Sequence, residues 1–226
     1  MKIGRAPHRW NLTPRAAVAV QRRLAGRVRR HGDGGRIRSV AGLDCAFSRD
    51  GTRCLAAAIL WEVDSRRVVE ERHAERPLTF PYVPGLLSFR EAPALIAALR
   101  KLRSTPDALM LDGHGIAHPR RFGIACHLGI LCDLPSVGVA KSLLVGEPRE
   151  PAASRGSRRA LLHRGERVGT VLRTRDGVKP VFVSVGHAID LSDAERLVLR
   201  TCAGFRLPEP TRRADAAVGL AKREGP

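Results

Sequence analysis

Apolar positions along this chain follow two periods, one helical and one alternating, and each change of period marks an element boundary. Between residues 14 and 30, Ala17, Val20, Leu24 and Val28 recur at helical spacing, while Arg15, Arg22, Arg23, Arg27, Arg29 and Arg30 fill the remainder. The pattern predicts an amphipathic helix with a basic outer face. Thr13 followed by Pro14 suits its start, with Thr as the capping residue and Pro at the first helical position. The Gly-containing stretch 31–35 ends it. Residues 36–47, 53–63 and 66–75 read as three strands separated by turns at 48–52 and 64–65. Connections so short make consecutive strands antiparallel neighbours.

A proline-rich loop at 77–84 interrupts the strands, and 88–102 then reads as a helix with Leu95, Leu99 and Leu102 as its apolar stripe. From Asp107 the rhythm becomes strand–helix–strand: a short apolar strand at 108–111, a helix at 122–131, a strand at 136–139. A Pro/Gly/Ser/Arg loop covers 146–157, and 161–174 reads as a hairpin turning at Arg164-Gly165. A buried strand at 181–185 precedes a helix at 192–202, where Ser192 and Glu195 have the spacing of a capping box. The last helix, 211–222, follows Pro208 and Pro210. With no repeat and no linker, the expectation is a single α/β domain over 1–226. Its sheet would be mixed, three antiparallel strands followed by parallel strands, flanked by helices.

Charge changes the picture more than composition does. The 226 residues are 43% hydrophobic, which is ordinary for a globular protein. Forty Lys+Arg against 22 Asp+Glu leave a net charge of +18, an attractive field for polyanions, nucleic acid before anionic membrane. Arginine-rich codon usage alone would also raise this number. The cysteines Cys45, Cys54, Cys126, Cys132 and Cys202 are odd in number and lack Cys-x-x-Cys spacing, so free thiols in a reducing cytoplasm are expected. Neither a signal peptide nor an apolar run of the ~18 residues that a membrane span requires is visible, so a soluble cytoplasmic protein without a membrane partner is expected.

Four carboxylates stand out by position. Asp44 interrupts an apolar strand, so it either serves a site or finds a partner. Asp112 ends the apolar run Leu109-Met110-Leu111 and precedes Gly113-His114-Gly115, a standard place for a ligand-binding carboxylate, although a plain turn Asp is the alternative. Glu91 opens a helix, where the macrodipole favours Glu anyway, and Asp215 lies early in the last helix, where a solvated carboxylate is common. Together they suit a hard cation, because Mg²⁺ takes oxygen ligands, keeps several waters and needs only a few carboxylates plus a substrate phosphate. Lys141, just after a buried strand, is placed to meet a phosphate or to be merely solvated. His114, His118, His127 and His187 lack zinc spacing. Tyr82, the only tyrosine, sits between Pro81 and Pro84. A stiff aromatic tip of this kind can wedge into a base stack, or fold back on its own core.

The stretches Val40-Ala-Gly-Leu-Asp44, Pro81-Tyr-Val-Pro-Gly-Leu-Leu-Ser-Phe-Arg-Glu91, Asp112-Gly-His-Gly-Ile-Ala-His-Pro-Arg120, Gly123-Ile-Ala-Cys-His-Leu-Gly129, Gly138-Val-Ala-Lys-Ser142 and Phe205-Arg-Leu-Pro-Glu-Pro-Thr-Arg212 resemble, in this order, the endonuclease V family. These are deoxyinosine-specific repair nucleases with a ribonuclease H-like fold. The resemblance implies Asp44 and Asp112 as principal Mg²⁺ ligands (Mn²⁺ able to substitute), Glu91 as third catalytic carboxylate and Lys141 beside the scissile phosphate. Asp215 falls at a last-helix position where the family carries Asp or His. Tyr82 matches the wedge tip, and Leu87, Gly113, His118, Gly123 and Ile124 match the pocket around a flipped hypoxanthine. The implied reaction hydrolyses the second phosphodiester bond 3′ to the lesion and leaves the lesion in the nicked strand. The expected partner of this monomer is DNA containing deaminated bases, with inosine-containing RNA as the alternative substrate. A non-catalytic basic module is the rival reading, but acids beside a phosphate would repel a pure binder's ligand.

Overall fold

A computed structural model describes residues 1, 3–32 and 35–224. Its elements run, in chain order, α1 (Pro14–Ala25), β1 (Ser39–Phe47), β2 (Arg53–Glu62), β3 (Arg67–Pro77), α2 (Leu87–Arg100), β4 (Ala108–Leu111), α3 (Ile124–Cys132), β5 (Ser136–Ala140), β6 (Arg158–His163), β7 (Glu166–Leu172), β8 (Val181–His187), α4 (Leu191–Thr201) and α5 (Glu209–Glu224). None of the helices is long and apolar enough to cross a membrane among the described residues.

The strands form one eight-stranded sheet in the order β3-β2-β1-β4-β5-β8-β7-β6. β1, β2 and β3 are antiparallel, and β4 and β5 run parallel to β1. This is the mixed α/β sheet that the alternation of periods predicts. Its parallel part is confined to β1, β4 and β5, because the chain then leaves for the far edge and returns as antiparallel β6, β7 and β8. The β6–β7 turn is the expected Arg164-Gly165 pair, with φ +57° and +75°, the left-handed dihedrals of a tight hairpin.

Alternation along β1 divides its side chains between two layers. Ala41 and Leu43 pack with Leu95 and Leu99 of α2, whereas β2 residues Ala57 and Ile59 on the other face meet Ala214 and Val218 of α5. Gly42 sets how closely α5 approaches: a Cβ there would lie 2.1 Å from the Pro210 carbonyl carbon. Only glycine leaves room for backbone on backbone at that point.

Two local expectations change in the tertiary structure. Helix α1 is capped as expected, Thr13 Oγ1 accepting from the Ala16 N–H at 3.3 Å, but it stops at Ala25 before Gly26. Val28 packs on the same core from outside the helix. Of the helix-ending stretch 31–35, residues 33 and 34 lie outside the described residues. The Ser192/Glu195 capping box does not form. Asp190 occupies the capping position of α4, and Glu195 is buried, accepting from Thr170 Oγ1 (2.5 Å), Arg158 Nη1 (2.7 Å) and Arg167 Nη2 (3.1 Å). A carboxylate on the sheet-facing side of a helix must be compensated, and two guanidinium groups with a hydroxyl do so more completely than one exposed N–H at a helix end.

Candidate active site

Strand order reverses between β1 and β4, and ligands of open α/β sheets bind beyond the carboxyl ends of strands at such a reversal. The parallel register pairs Gly42 with Met110 and Leu43 with Leu111. Continued by one residue, it sets Asp44 opposite Asp112, whose N–H donates to the Leu43 carbonyl at 3.5 Å. Both carboxylates emerge on the face that α5 covers, since alternate residues share a face. Lys141 follows the end of β5 and places its Nζ 2.5 Å from Asp112 Oδ2 and 3.6 Å from Asp215 Oδ1. Asp44, Asp112, Lys141 and Asp215 thus share one site. Glu91 enters it from the first turns of α2, close enough for the charges of Asp44 and Asp112 to act on it.

The electrostatics are those of too many acids for the cations present. Burial, then the charge of Asp112, pushes the Asp44 carboxyl up to about 8, against the Cys45 N–H that donates to its Oδ1 at 2.9 Å. Burial raises Glu91 well above the carboxylate range, and the neighbouring Asp44 and Asp112 add to it. Asp112 is also raised by burial, even with Lys141 pulling the other way. Burial works against the ammonium of Lys141, but Asp112, Asp215 and Asp44 outweigh it and hold the proton on. Among the described residues, no group of three or more His, Cys, Asp or Glu side chains is arranged to hold an ion by itself. The chemistry of the donors is that of Asp44 and Asp112, two carboxylates close enough for the charge of Asp112 to raise the proton affinity of Asp44. This fits a hard cation that keeps waters and shares a substrate oxygen.

A second feature adjoins this cluster. A cavity of about 210 Å³ is walled by Tyr82, Leu87, His118, Gly123 and Ile124, all expected from the sequence. Tyr82 does not fold back; it stands 71% exposed at the rim. Gly113 is the exception, because it does not line the cavity. Its backbone approaches the wall residue Ile124, since a Cβ there would come 2.7 Å from Ile124 Cγ2. Gly123 similarly lets the start of α3 cross the His114 carbonyl, 2.1 Å from where a Cβ would be. Burial drives His114 and His118 down to about 4, so both face the cavity as neutral rings at neutral pH.

Sequence reading missed Gln21, Ser88, His114, Leu143 and Leu144, which also line this cavity. Leu143 and Leu144 carried a legible signal: two large apolar residues just beyond Lys141 and Ser142, at the end of the short buried strand. Gln21 carried another, a polar residue on the apolar stripe of α1 that turns out fully buried.

The family model described as Endonuclease V matches residues 22–216, a span containing every site residue expected from the sequence. The endonuclease V of Trichormus variabilis is 50% identical over 210 residues, covering 92% of this chain and 95% of that one. The crystal structure of endonuclease V from Streptomyces avermitilis superimposes with a TM-score of 0.91 at 45% identity, covering 95% of each chain. A more distant fold match is Ciona intestinalis endonuclease V, solved with a 24mer DNA containing an inosine (TM-score 0.83, 24% identity, covering 93% of this chain and 98% of that one). The chain belongs to the endonuclease V family of DNA repair nucleases.

Proposed function

We propose that this chain recognises a deaminated base in DNA, chiefly deoxyinosine, and hydrolyses the second phosphodiester bond 3′ to it in a Mg²⁺-dependent reaction. One observation carries the reading. Two chain segments each begin at the carboxylate cluster and end at the cavity: Asp112 leads to His114 and His118, and Lys141 leads to Ser142, Leu143 and Leu144. Base capture and strand scission then have separate places on one rigid frame, as an enzyme needs if it cuts beside a lesion without removing it.

Asp44 and Asp112 would hold the ion, with Glu91 as the further carboxylate and Asp215 at the margin. When bound, Mg²⁺ would supply an activated water and stabilise the leaving oxygen. The raised pKa of Asp44 supports a cation at this point, since a positive charge would relieve the repulsion that now favours its protonated form. Lys141 contributes a fixed positive charge where negative charge develops on the phosphate. The cavity accepts the flipped base between Leu87, Ile124 and the neutral ring of His118, while Tyr82 fills the gap left in the stack.

The test is nicking of a labelled duplex carrying one deoxyinosine, with and without Mg²⁺, the cut mapped to the nucleotide. A cut at another phosphate, or scission indifferent to a chelator, overturns the reading. Replacing Mg²⁺ with Mn²⁺ should sustain cutting. A matched RNA oligonucleotide run beside the DNA decides between substrates, and a strong preference for RNA would reassign the protein.

A further inference from the structure

The loop that bears Tyr82 is held before its tip by Arg90 Nη1, which donates to the Phe80 carbonyl at 2.9 Å, and after it at the carbonyl oxygen of Gly85. Val83, Pro84, Gly85 and Leu86 form a turn closed by the Leu86 N–H donating to the Val83 carbonyl at 2.9 Å. Proline at its second position and Gly85 at φ +76° are what a type II turn requires. Three side chains then donate to the Gly85 oxygen: Gln21 Nε2 at 2.9 Å, His118 Nε2 at 2.9 Å and Arg120 Nη2 at 2.8 Å. The backbone N–H of Arg120 donates to His118 Nδ1 at 3.1 Å, so the ring carries its proton on Nε2 and serves as a donor there.

Gln21 completes the arrangement. Its second amide hydrogen goes to the Phe122 carbonyl at 3.0 Å, next to Gly123 of the cavity wall, and its Oε1 accepts from Arg120 Nε at 2.5 Å. Every polar atom of a side chain only 1% exposed is therefore used, and the two carbonyls that it joins are those of Gly85, in the turn behind the aromatic tip, and of Phe122, which precedes the cavity-lining Gly123. A buried amide that ties two loops costs free energy unless all of these bonds form together. Gly85 also makes room for the donors, since a Cβ there would lie 2.8 Å from Arg120 Nη2.

We infer that Gln21, braced by Arg120, is a positioning residue that sets the height of Tyr82 above the base cavity, so that stack insertion and base capture occur as one event. The inference rests on the proposed reading of Tyr82 as wedge and the cavity as base pocket. It predicts a selective defect. A lesion in a duplex must be pushed out of a stack, whereas a lesion in a single strand need not be, so loosening the tip should harm the first far more.

The experiment measures kcat and KM of the full chain on a deoxyinosine duplex and on the same lesion strand without its complement. Gln21→Met keeps the volume and removes all three hydrogen bonds. It should lower kcat/KM on the duplex about tenfold more than on the single strand. Placed in a Tyr82→Ala background, it should add no further duplex-specific loss, because two residues acting through one event are not additive. Equal losses on both substrates, or multiplicative losses in the double variant, overturn the inference. Should Gln21→Met fail to fold, Arg120→Met removes the brace from the other side and must show the same duplex selectivity. Tyr82→Ala alone cutting duplex at the parental rate would instead sink the wedge reading, and this inference with it.

Discussion

The carboxylate cluster and the proposed base cavity lie side by side but are built on opposite principles. Asp44 and Asp112 project from strand ends inside the sheet, where backbone ladders hold them and like charges are forced together. Their environment favours the protonated acid, with Asp44 up at about 8. The cavity is walled by loops and by residues of α1, α2 and α3, tied together by side chains that donate to carbonyls, and its histidines are neutral, pushed down to about 4. One region carries a charge imbalance that a cation would relieve. The other is a neutral enclosure suited to an uncharged base. Placing the strained charges on the stiffest elements keeps them from drifting apart, which loops would allow.

The sharpest way to break this comparison is to remove a carboxylate. Asp44→Asn and Asp112→Asn should each lower the nicking rate by roughly 10³-fold or more, while binding of the inosine duplex, read by gel shift, holds or tightens because a repulsive charge has gone. Loss of binding together with cutting would mean that the two regions are not separable. A smaller effect is expected at the rim, where Tyr82→Ala should cost about ten- to a hundredfold on duplex substrate, with the single-strand substrate much less affected. Asp215 is more exposed and 3.6 Å from Lys141; Asp215→Asn should cost less than about tenfold, as expected of a screened pair. A loss as deep as that of Asp112→Asn would move it into the metal-binding set.

Melting temperature against pH in the presence of a chelator gives the smallest and most discriminating signal. An acid whose folded pKa is raised destabilises the fold progressively as pH climbs from its unfolded value towards the folded one. Asp44→Asn should therefore match the parent near pH 4 and exceed it near pH 8, by about 3 °C or more. For His118 the folded pKa is depressed, so the stability it contributes is present above the unfolded value of 6.5 and is lost as pH falls towards about 4. The gap between the parent and His118→Gln should thus shrink on acidification. If both variants shifted in the same direction with pH, the two regions would share one electrostatic character.

The Glu195 and Gln21 environments show why some of the molecule resisted reading from sequence. Glu195 had a plausible local use as a helix cap and Gln21 had none on the apolar stripe of α1, and both found distant partners: Arg158, Arg167 and Thr170 for one, Gly85, Arg120 and Phe122 for the other. Gly113 was legible only in part, for a related reason. Glycine beside a site signals close approach, but what approaches, here Ile124, is a tertiary fact.

Local chemistry was sufficient for everything with a short period. The alternation in β1 and β2, the Thr13-Pro14 helix start, the Arg164-Gly165 turn and the apolar brevity of β4 and β5 each depend on residues within one element, so the elements and the isolated acids at their ends were legible. The resemblance carried by residues 81–91 and 112–129 supplied the expected roles. Only the folded chain decided that β8 pairs with β5, that α5 crosses β1 at Gly42, and that Asp44 stands opposite Asp112. Register, close backbone approach and the partner of a buried polar group are contacts between residues far apart in sequence. Their energies depend on which surfaces meet, and no single stretch of sequence contains both surfaces.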